Sequence, residues 1–163
     1  MDVWVLDRAG LQNDLLEIFA ALDDLQYQYD GVITGHDVWY GETCPEAVKK
    51  RWQWTGLLLN GRELTRDLSE GYVRFVSGGI LSAVPRGTKR EDVCGFMPTW
   101  QVDCASSDYA FQTPFTKLEI ICFDGYAWEI ICEPAFSPTV RRLLPEAKPP
   151  EAFQTAQNAA SAG

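Results

Sequence analysis

The sequence predicts an α+β domain whose sheet is mostly antiparallel and has about five to seven strands. A stretch of helical periodicity near the N-terminus is followed by several short β-type segments separated by Gly, Pro and Asp. One of these segments, residues 117–132, carries a β-hairpin signal. The 163 residues are 46% hydrophobic and 23% charged, which fits one domain with one core. We expect that domain to span 1–145 and to be followed by a flexible tail, 146–163.

The N-terminal third begins with a short strand at residues 2–6, in which apolar side chains alternate between two faces. An amphipathic helix is predicted over about 11–27, because apolar residues recur there at spacings of three and four. These are Leu11, Leu15, Ile18, Phe19, Leu22 and Leu25. Asp30-Gly31 is expected to end the helix, which would pack on the sheet and present an acidic outer face.

The middle of the chain predicts alternating strands and short helices. Residues 31–40 are typical of a β segment interrupted at Gly35, and Pro45 is expected to begin a helix that runs to about Trp54. A short strand at 57–59 precedes a second helix from Gly61 to about Gly71. Further strands are predicted at 72–76 and 80–84, joined at a Gly-Gly turn or bulge, and a charged loop is predicted at 85–92.

The hairpin contains the sequence LEIICFDGYAWEII, in which two strands flank Asp124-Gly125. This dipeptide suits a two-residue type I′ turn, which would pair Phe123 with Tyr126 and Ile121 with Trp128. Glu119 and Glu129 would then face opposite sides, which argues against a paired-carboxylate hydrolase. Both faces are largely apolar, so we expect the hairpin to lie inside the sheet, covered on both sides. A short helix should follow from Ser137-Pro138 to Leu144.

The net charge is −9, and the acidic surplus is confined to one end of the sequence. Residues 1–46 hold ten acids and one base, whereas residues 47–163 hold thirteen of each. A concentrated negative field attracts basic partners and repels nucleic acid. The alternative is ordinary solvated acidity on an exposed helix. We predict a basic protein partner and no binding of nucleic acid.

The five cysteines and the N-terminus favour a cytoplasmic protein. An odd number of cysteines, without a basic and apolar leader, is typical of free thiols in a reducing compartment. Cys94 with Cys104, and Cys122 with Cys132, share a nine-residue spacing, but Gly and Pro interrupt the helices that such disulfide motifs need. No apolar run approaches the roughly 18–20 residues that span a bilayer, so no membrane association is expected.

No catalytic machinery is recognisable, and we predict that the protein is not an enzyme. The single histidine, His36, precedes Cys44 by eight residues, which permits a Cys–His nucleophile pair without requiring it. A small enzyme that uses these two residues is one alternative function, and a structural or adaptor domain is another. One histidine and the absence of CxxC pairs predict no metal site and no cofactor.

The hairpin sequence LEIICFDGYAWEII, in a small acidic domain, resembles that of bacterial toxin-immunity proteins. The resemblance covers about residues 117–133, and it implies a cytosolic inhibitor that binds a cognate toxin and blocks its active site. Clustered acids and aromatics predict the contact surface independently, since such residues anchor interfaces. The predicted surface comprises Asp23, Asp24, Tyr27, Tyr29, Asp30, His36, Asp37, Trp39, Tyr40 and Glu42.

Overall fold

A computed structural model describes residues 1–7, 28–53, 56–93, 111, 113–123 and 127–152. In these residues six strands form one antiparallel sheet, in the order β1-β6-β5-β4-β2-β3. The strands are β1 (Asp2–Asp7), β2 (Tyr29–Tyr40), β3 (Leu57–Asn60), β4 (Val73–Pro85), β5 (Leu118–Phe123) and β6 (Ala127–Cys132). The helices are α1 (Glu46–Trp52), α2 (Gly61–Ser69), α3 (Arg90–Val93) and α4 (Ser137–Leu143). The α+β class and the mostly antiparallel sheet are confirmed.

The two faces of the sheet differ in what covers them. On one face, here called the main-core face, residues such as Leu81, Ile120 and Ile130 belong to a large apolar cluster with side chains of α1, α2 and α4. Alternation sends their neighbours to the second face. There Ile80, Ile121 and Ile131 form a smaller cluster against Val3 and Phe111. Both hairpin strands are therefore interior and buried on both sides, as the sequence predicts.

Local sequence signals position the two helices that follow β2 and β3. Pro45 is the N-cap of α1, and Trp52 near its end is fully buried. The N-cap of α2 is Asn60, whose side chain accepts a hydrogen bond from the backbone N–H of Glu63 at 3.0 Å. Such a cap satisfies an N–H that the helix itself leaves unpaired. Leu64 and Leu68 face the main core, so both predicted helices are confirmed.

The hairpin register differs from the predicted one by one residue. Phe123 pairs with Ala127 and Cys122 with Trp128, so three residues, 124–126, separate the paired ends. Asp-Gly also suits three-residue loops, and the dipeptide alone does not set the register. Because a one-residue slip moves one strand's side chains to the other face, Glu119 and Glu129 share the second face. The predicted separation of these two glutamates is wrong.

Two further predictions need correction or fall outside the described residues. The amphipathic helix predicted for 11–27 lies outside them, so the structure gives it no support. The tail predicted from residue 146 begins too early. Val5 and Lys148 exchange two backbone hydrogen bonds of 2.7 and 2.9 Å, and Ala147 packs against the main core.

β2 and β4 extend as a two-stranded ribbon beyond the end of β5. β5 pairs with β4 only over residues 78–83, whereas β4 continues its pairing with β2 from Phe75 to Val73. The register shifts where the ribbon begins, and Gly35 has a φ of 52°, which favours glycine. The two strands predicted at 72–76 and 80–84 are therefore one bulged strand. This ribbon carries the surface described next.

Candidate functional site

The ribbon presents an exposed aromatic side chain on the second face. Trp39 is 50% exposed, and the guanidinium of Arg74, its cross-strand partner, lies 5.7 Å from the centre of its ring. Val76, which is 52% exposed, lies two residues further along β4, where the register with β2 shifts. Exposed apolar side chains that are grouped together mark contact surfaces, whereas single ones are common on protein surfaces. We call Trp39, Arg74 and Val76 the ribbon patch.

Close backbone packing fixes the base of the ribbon. Gly41 follows β2 directly, and its N–H donates to the carbonyl of Tyr72 at 3.1 Å. A β-carbon at Gly41 would overlap the carbonyl oxygen of Gly71, whose own φ is 67°. On the main-core face, Val38 and Tyr40 pack against the large cluster. These contacts fix the position of the two strands that carry the ribbon patch.

The predicted contact residues differ in exposure, and only some of them lie on the surface. Asp37, Trp39 and Glu42 are exposed, whereas strand alternation turns Tyr40 towards the main core. Tyr29 is half-buried with its ring 6.0 Å from that of Phe136, edge-on. Asp30 is buried, and its Oδ2 accepts a hydrogen bond from the N–H of Gly87 at 2.9 Å. Asp23, Asp24, Tyr27 and the side chain of His36 lie outside the described residues.

Arg51 of α1 forms ion pairs with acids that lie outside residues 1–46. Arg51 forms an ion pair with Asp67 and lies 3.7 Å from Glu63. Asp67 is fully buried and also accepts hydrogen bonds from the Trp52 indole at 2.9 Å and from Arg66 at 3.2 Å. Arg51, Trp52 and Arg66 thus all donate hydrogen bonds to the carboxylate of Asp67. Within the described residues, the ion pairs of Arg51 are therefore with acids of α2.

Cys44 has the environment of a structural thiol. It is buried, and its Sγ lies 3.7 Å from the carbonyl oxygen of Pro45. Burial raises the pKa of the Cys44 thiol above its ordinary value; nearby Lys49 lowers it and nearby Asp67 raises it, and the net shift is upward. Since the thiolate is the nucleophilic form, this environment does not activate Cys44. Burial, with a smaller contribution from Cys44, also raises the pKa of the Tyr40 hydroxyl.

Cys132 is a second free, buried thiol, and its titration gives a pH-dependent prediction. Burial raises its pKa from 9.0 to about 12, with nearby Asp2 adding to the shift. Between these values the unfolded chain loses the thiol proton while the folded chain keeps it, so the stability contributed by the protonated thiol falls as pH rises. We expect the difference in unfolding free energy between wild type and Cys132→Ala to narrow from pH 8 to pH 10.

Urea unfolding at both pH values measures this difference, and each pH unit above 9 contributes at most about 1.4 kcal/mol. Cys44→Ala serves as the control, since the pKa of its thiol is also raised but without the large shift of Cys132. If the difference in unfolding free energy between wild type and Cys132→Ala is the same at pH 8 and at pH 10, the raised pKa of Cys132 is contradicted.

A buried carboxylate lies at the centre of the second face. Glu119 is fully buried, and its Oε1 accepts hydrogen bonds from the Ser82 hydroxyl at 2.9 Å and from the backbone N–H of Thr113 at 3.3 Å. Ser82 also lies 3.1 Å from the Thr113 hydroxyl. Glu129 shares the face, diagonally across the strand pair. A fully covered Glu119 cannot contact a solvent-borne substrate, so the shared face does not create a hydrolytic pair.

The carboxylate anchors a turn that sequence reasoning missed. Thr113 and Thr116 are buried, but Phe115 between them is 61% exposed and has a φ of 63°. Proline at 114, followed by a residue in the left-handed region, is the pattern of a type II turn, which normally has Gly or Asn in the second place. The Thr-Pro-Phe-Thr sequence signals a turn; it does not signal that Phe115 is exposed. Arg74 and Val76 were also missed.

Comparisons with known proteins identify no relative: no family model, no curated protein and no solved structure matches the chain. Within the described ranges, no three His, Cys, Asp or Glu side chains are grouped so that they could hold a metal ion. Nor does any helix there have the length and apolar character to cross a membrane.

Proposed function

We propose that the protein acts by binding a basic protein partner through the ribbon patch and the acids beside it. The observation that carries this proposal is Trp39, which is half-exposed on a braced strand pair although the main core lies on the opposite face of the same strands. Trp and Arg are the residue types most enriched in the energetically dominant positions of interfaces, and the patch contains both in contact.

Charge supports the choice of a basic partner. The surplus of nine negative charges lies in residues 1–46, the part of the sequence that contains Trp39. Asp37 and Glu42 are exposed on either side of Trp39 in the sequence. Negative charge at the rim of an interface accelerates encounter with a basic protein and orients it. Arg74 stacks on the tryptophan ring itself.

A toxin inhibitor of the immunity type is the partner relationship that these features favour. Toxin sites that handle nucleic acids or nucleotides are basic, and an acidic aromatic surface is complementary to them. We propose accordingly that the protein is a cytosolic, non-catalytic inhibitor of bacterial origin that covers the active site of a cognate toxin. The raised pKa of the Cys44 thiol favours this function over the alternative Cys44/His36 enzyme.

The test uses the purified chain as bait for proteins of its native host, with captured candidates identified by mass spectrometry and then purified. Trp39→Ala is expected to weaken the affinity for the captured partner at least about tenfold, because the ring supplies the central apolar contact. Trp39→Phe should retain most of the affinity. Calorimetric titration measures both, and inhibition of the partner's activity by the bait tests the inhibitor role.

Reversing the charge of Glu42 tests whether this acid accelerates the encounter with the partner electrostatically. Glu42→Lys should slow association at low salt, and the loss should shrink as salt is added, since screening weakens exposed charges. Glu146→Lys is the matched control, because Glu146 is also an exposed carboxylate but lies near Lys148, which pairs with β1, four strands away from β2. If Trp39→Ala binds like wild type, or if the partner that binds is acidic, the proposed function is wrong.

A further inference from the structure

Phe115 combines two features that oppose folding. It is the one residue other than glycine with a positive φ among the described parts of the chain, and its side chain is 61% exposed. For a residue with a β-carbon and a bulky ring, the left-handed region is a genuine outlier. Backbone strain of this kind clusters at ligand-binding positions. Asparagine or glycine at 115 would satisfy the same turn without the strain.

The turn that carries Phe115 is held rigidly by buried groups. Its first residue, Thr113, donates its N–H to the fully buried carboxylate of Glu119, and its hydroxyl lies 3.1 Å from that of Ser82. On its far side, the N–H of Lys117 donates to the carbonyl of Ala83 at 3.1 Å. An exposed ring on so well anchored a turn is preorganised, and preorganisation reduces the entropy lost on binding.

The turn and the ribbon patch lie on the same side of the sheet. Thr113 bonds to side chains of the second face, and Arg74 and Val76 project from that face of β4. Eight residues of β4 separate Arg74 from Ser82, which corresponds to roughly 26 Å along a strand. That length is close to the width of a standard interface of about 800 Å² per partner. The sheet surface between them is buried at Ile80 and Ile121, so a partner that contacts both places would touch the two ends and not the face between them.

We propose that Phe115 is a second anchor for the same basic partner and that its ring enters an uncharged, apolar pocket of that protein. This inference rests on the proposed function. An apolar pocket suits the turn Thr113–Thr116, which carries no charge, while the flanking Lys117 and Glu133 form an ion pair of 2.6 Å with each other. The acids near Trp39 thus provide electrostatic steering, and Phe115 provides an apolar contact at the other end of the interface.

The experiment compares the stability and the affinity of two substitutions at one position. Phe115→Asn relieves the strain, so its Tm is expected to rise by about 2–4 °C. The same variant should bind the captured, purified partner at least about tenfold more weakly than wild type, because the ring is lost. Phe115→Leu keeps an apolar side chain in the strained turn, and it should retain most of the affinity without any gain in Tm.

The outcomes distinguish this inference from the proposed function. If Phe115→Asn binds like wild type while Trp39→Ala binds weakly, the second anchor is wrong and the proposed function stands. If neither substitution weakens binding, both are wrong. A fall in the Tm of Phe115→Asn would show that folding itself requires the ring, and it would overturn the inference. A higher Tm together with weaker binding supports it.

Discussion

Replacing Asp67 by alanine is expected to lower the free energy of unfolding by about 3–5 kcal/mol, the range for removing one partner of a buried ion pair. The carboxylate is fully buried and receives hydrogen bonds from Arg51, Trp52 and Arg66. Without it, Arg51 loses its closest counter-charge, and the Trp52 indole N–H loses its buried acceptor. Since whole domains are stable by only about 5–15 kcal/mol, the variant should be close to its unfolding threshold.

Urea unfolding at pH 7, followed by tryptophan fluorescence, measures this loss. Glu133→Ala is the matched control, because it also removes one carboxylate from an ion pair, the 2.6 Å contact with Lys117, in which both side chains are more than a third exposed. Exposed pairs contribute only about 0–1 kcal/mol. If Asp67→Ala costs no more than Glu133→Ala, the network around Asp67 does not stabilise the fold as described.

Local patterns were sufficient to predict most of the described elements. Pro45 and the Leu64/Leu68 spacing predicted α1 and α2. Alternation predicted β1, β-branched and aromatic residues predicted β2, and Asp124-Gly125 predicted the hairpin. These signals depend on neighbours within a few residues, which the sequence displays directly. The hairpin register failed because it depends on the length of the loop: Asp124-Gly125 is compatible with two-residue and three-residue connections.

The candidate surface could be predicted only in part, because strand alternation halves any run of residues. Asp37, Trp39 and Glu42 are exposed, but Asp30 and Tyr40, only a few residues away, are turned into buried or half-buried positions. Arg74 is 35 positions from Trp39 in the sequence, and only the β2–β4 register brings the two together. Likewise, Asp67 meets Trp52 through the packing of two helices, which no local pattern encodes.

A row of three aromatic rings crosses the main core and links the helix α1 to the hairpin. Phe75 of β4 lies edge-on between Trp52, at 6.1 Å, and Trp128 of β6, at 6.4 Å. Both tryptophans are buried, but their indole N–H groups differ. That of Trp52 donates to Asp67 at 2.9 Å, whereas that of Trp128 finds no hydrogen-bond partner in the part of the chain that the structure describes. The same substitution at the two positions therefore separates ring packing from hydrogen bonding.

Trp128→Ala should lower the free energy of unfolding by about 3–5 kcal/mol, because it leaves a large cavity between Phe75 and the hairpin. Trp128→Phe should recover most of that loss, since it keeps an aromatic ring and removes only an unsatisfied N–H. Trp52→Phe removes a hydrogen bond to a buried carboxylate, which costs about 1.5–3 kcal/mol beyond the smaller ring. Urea unfolding of the three variants gives these differences. Equal losses for Trp52→Phe and Trp128→Phe would mean that the hydrogen bond from the Trp52 indole to the carboxylate of Asp67 adds nothing to the stability of the fold.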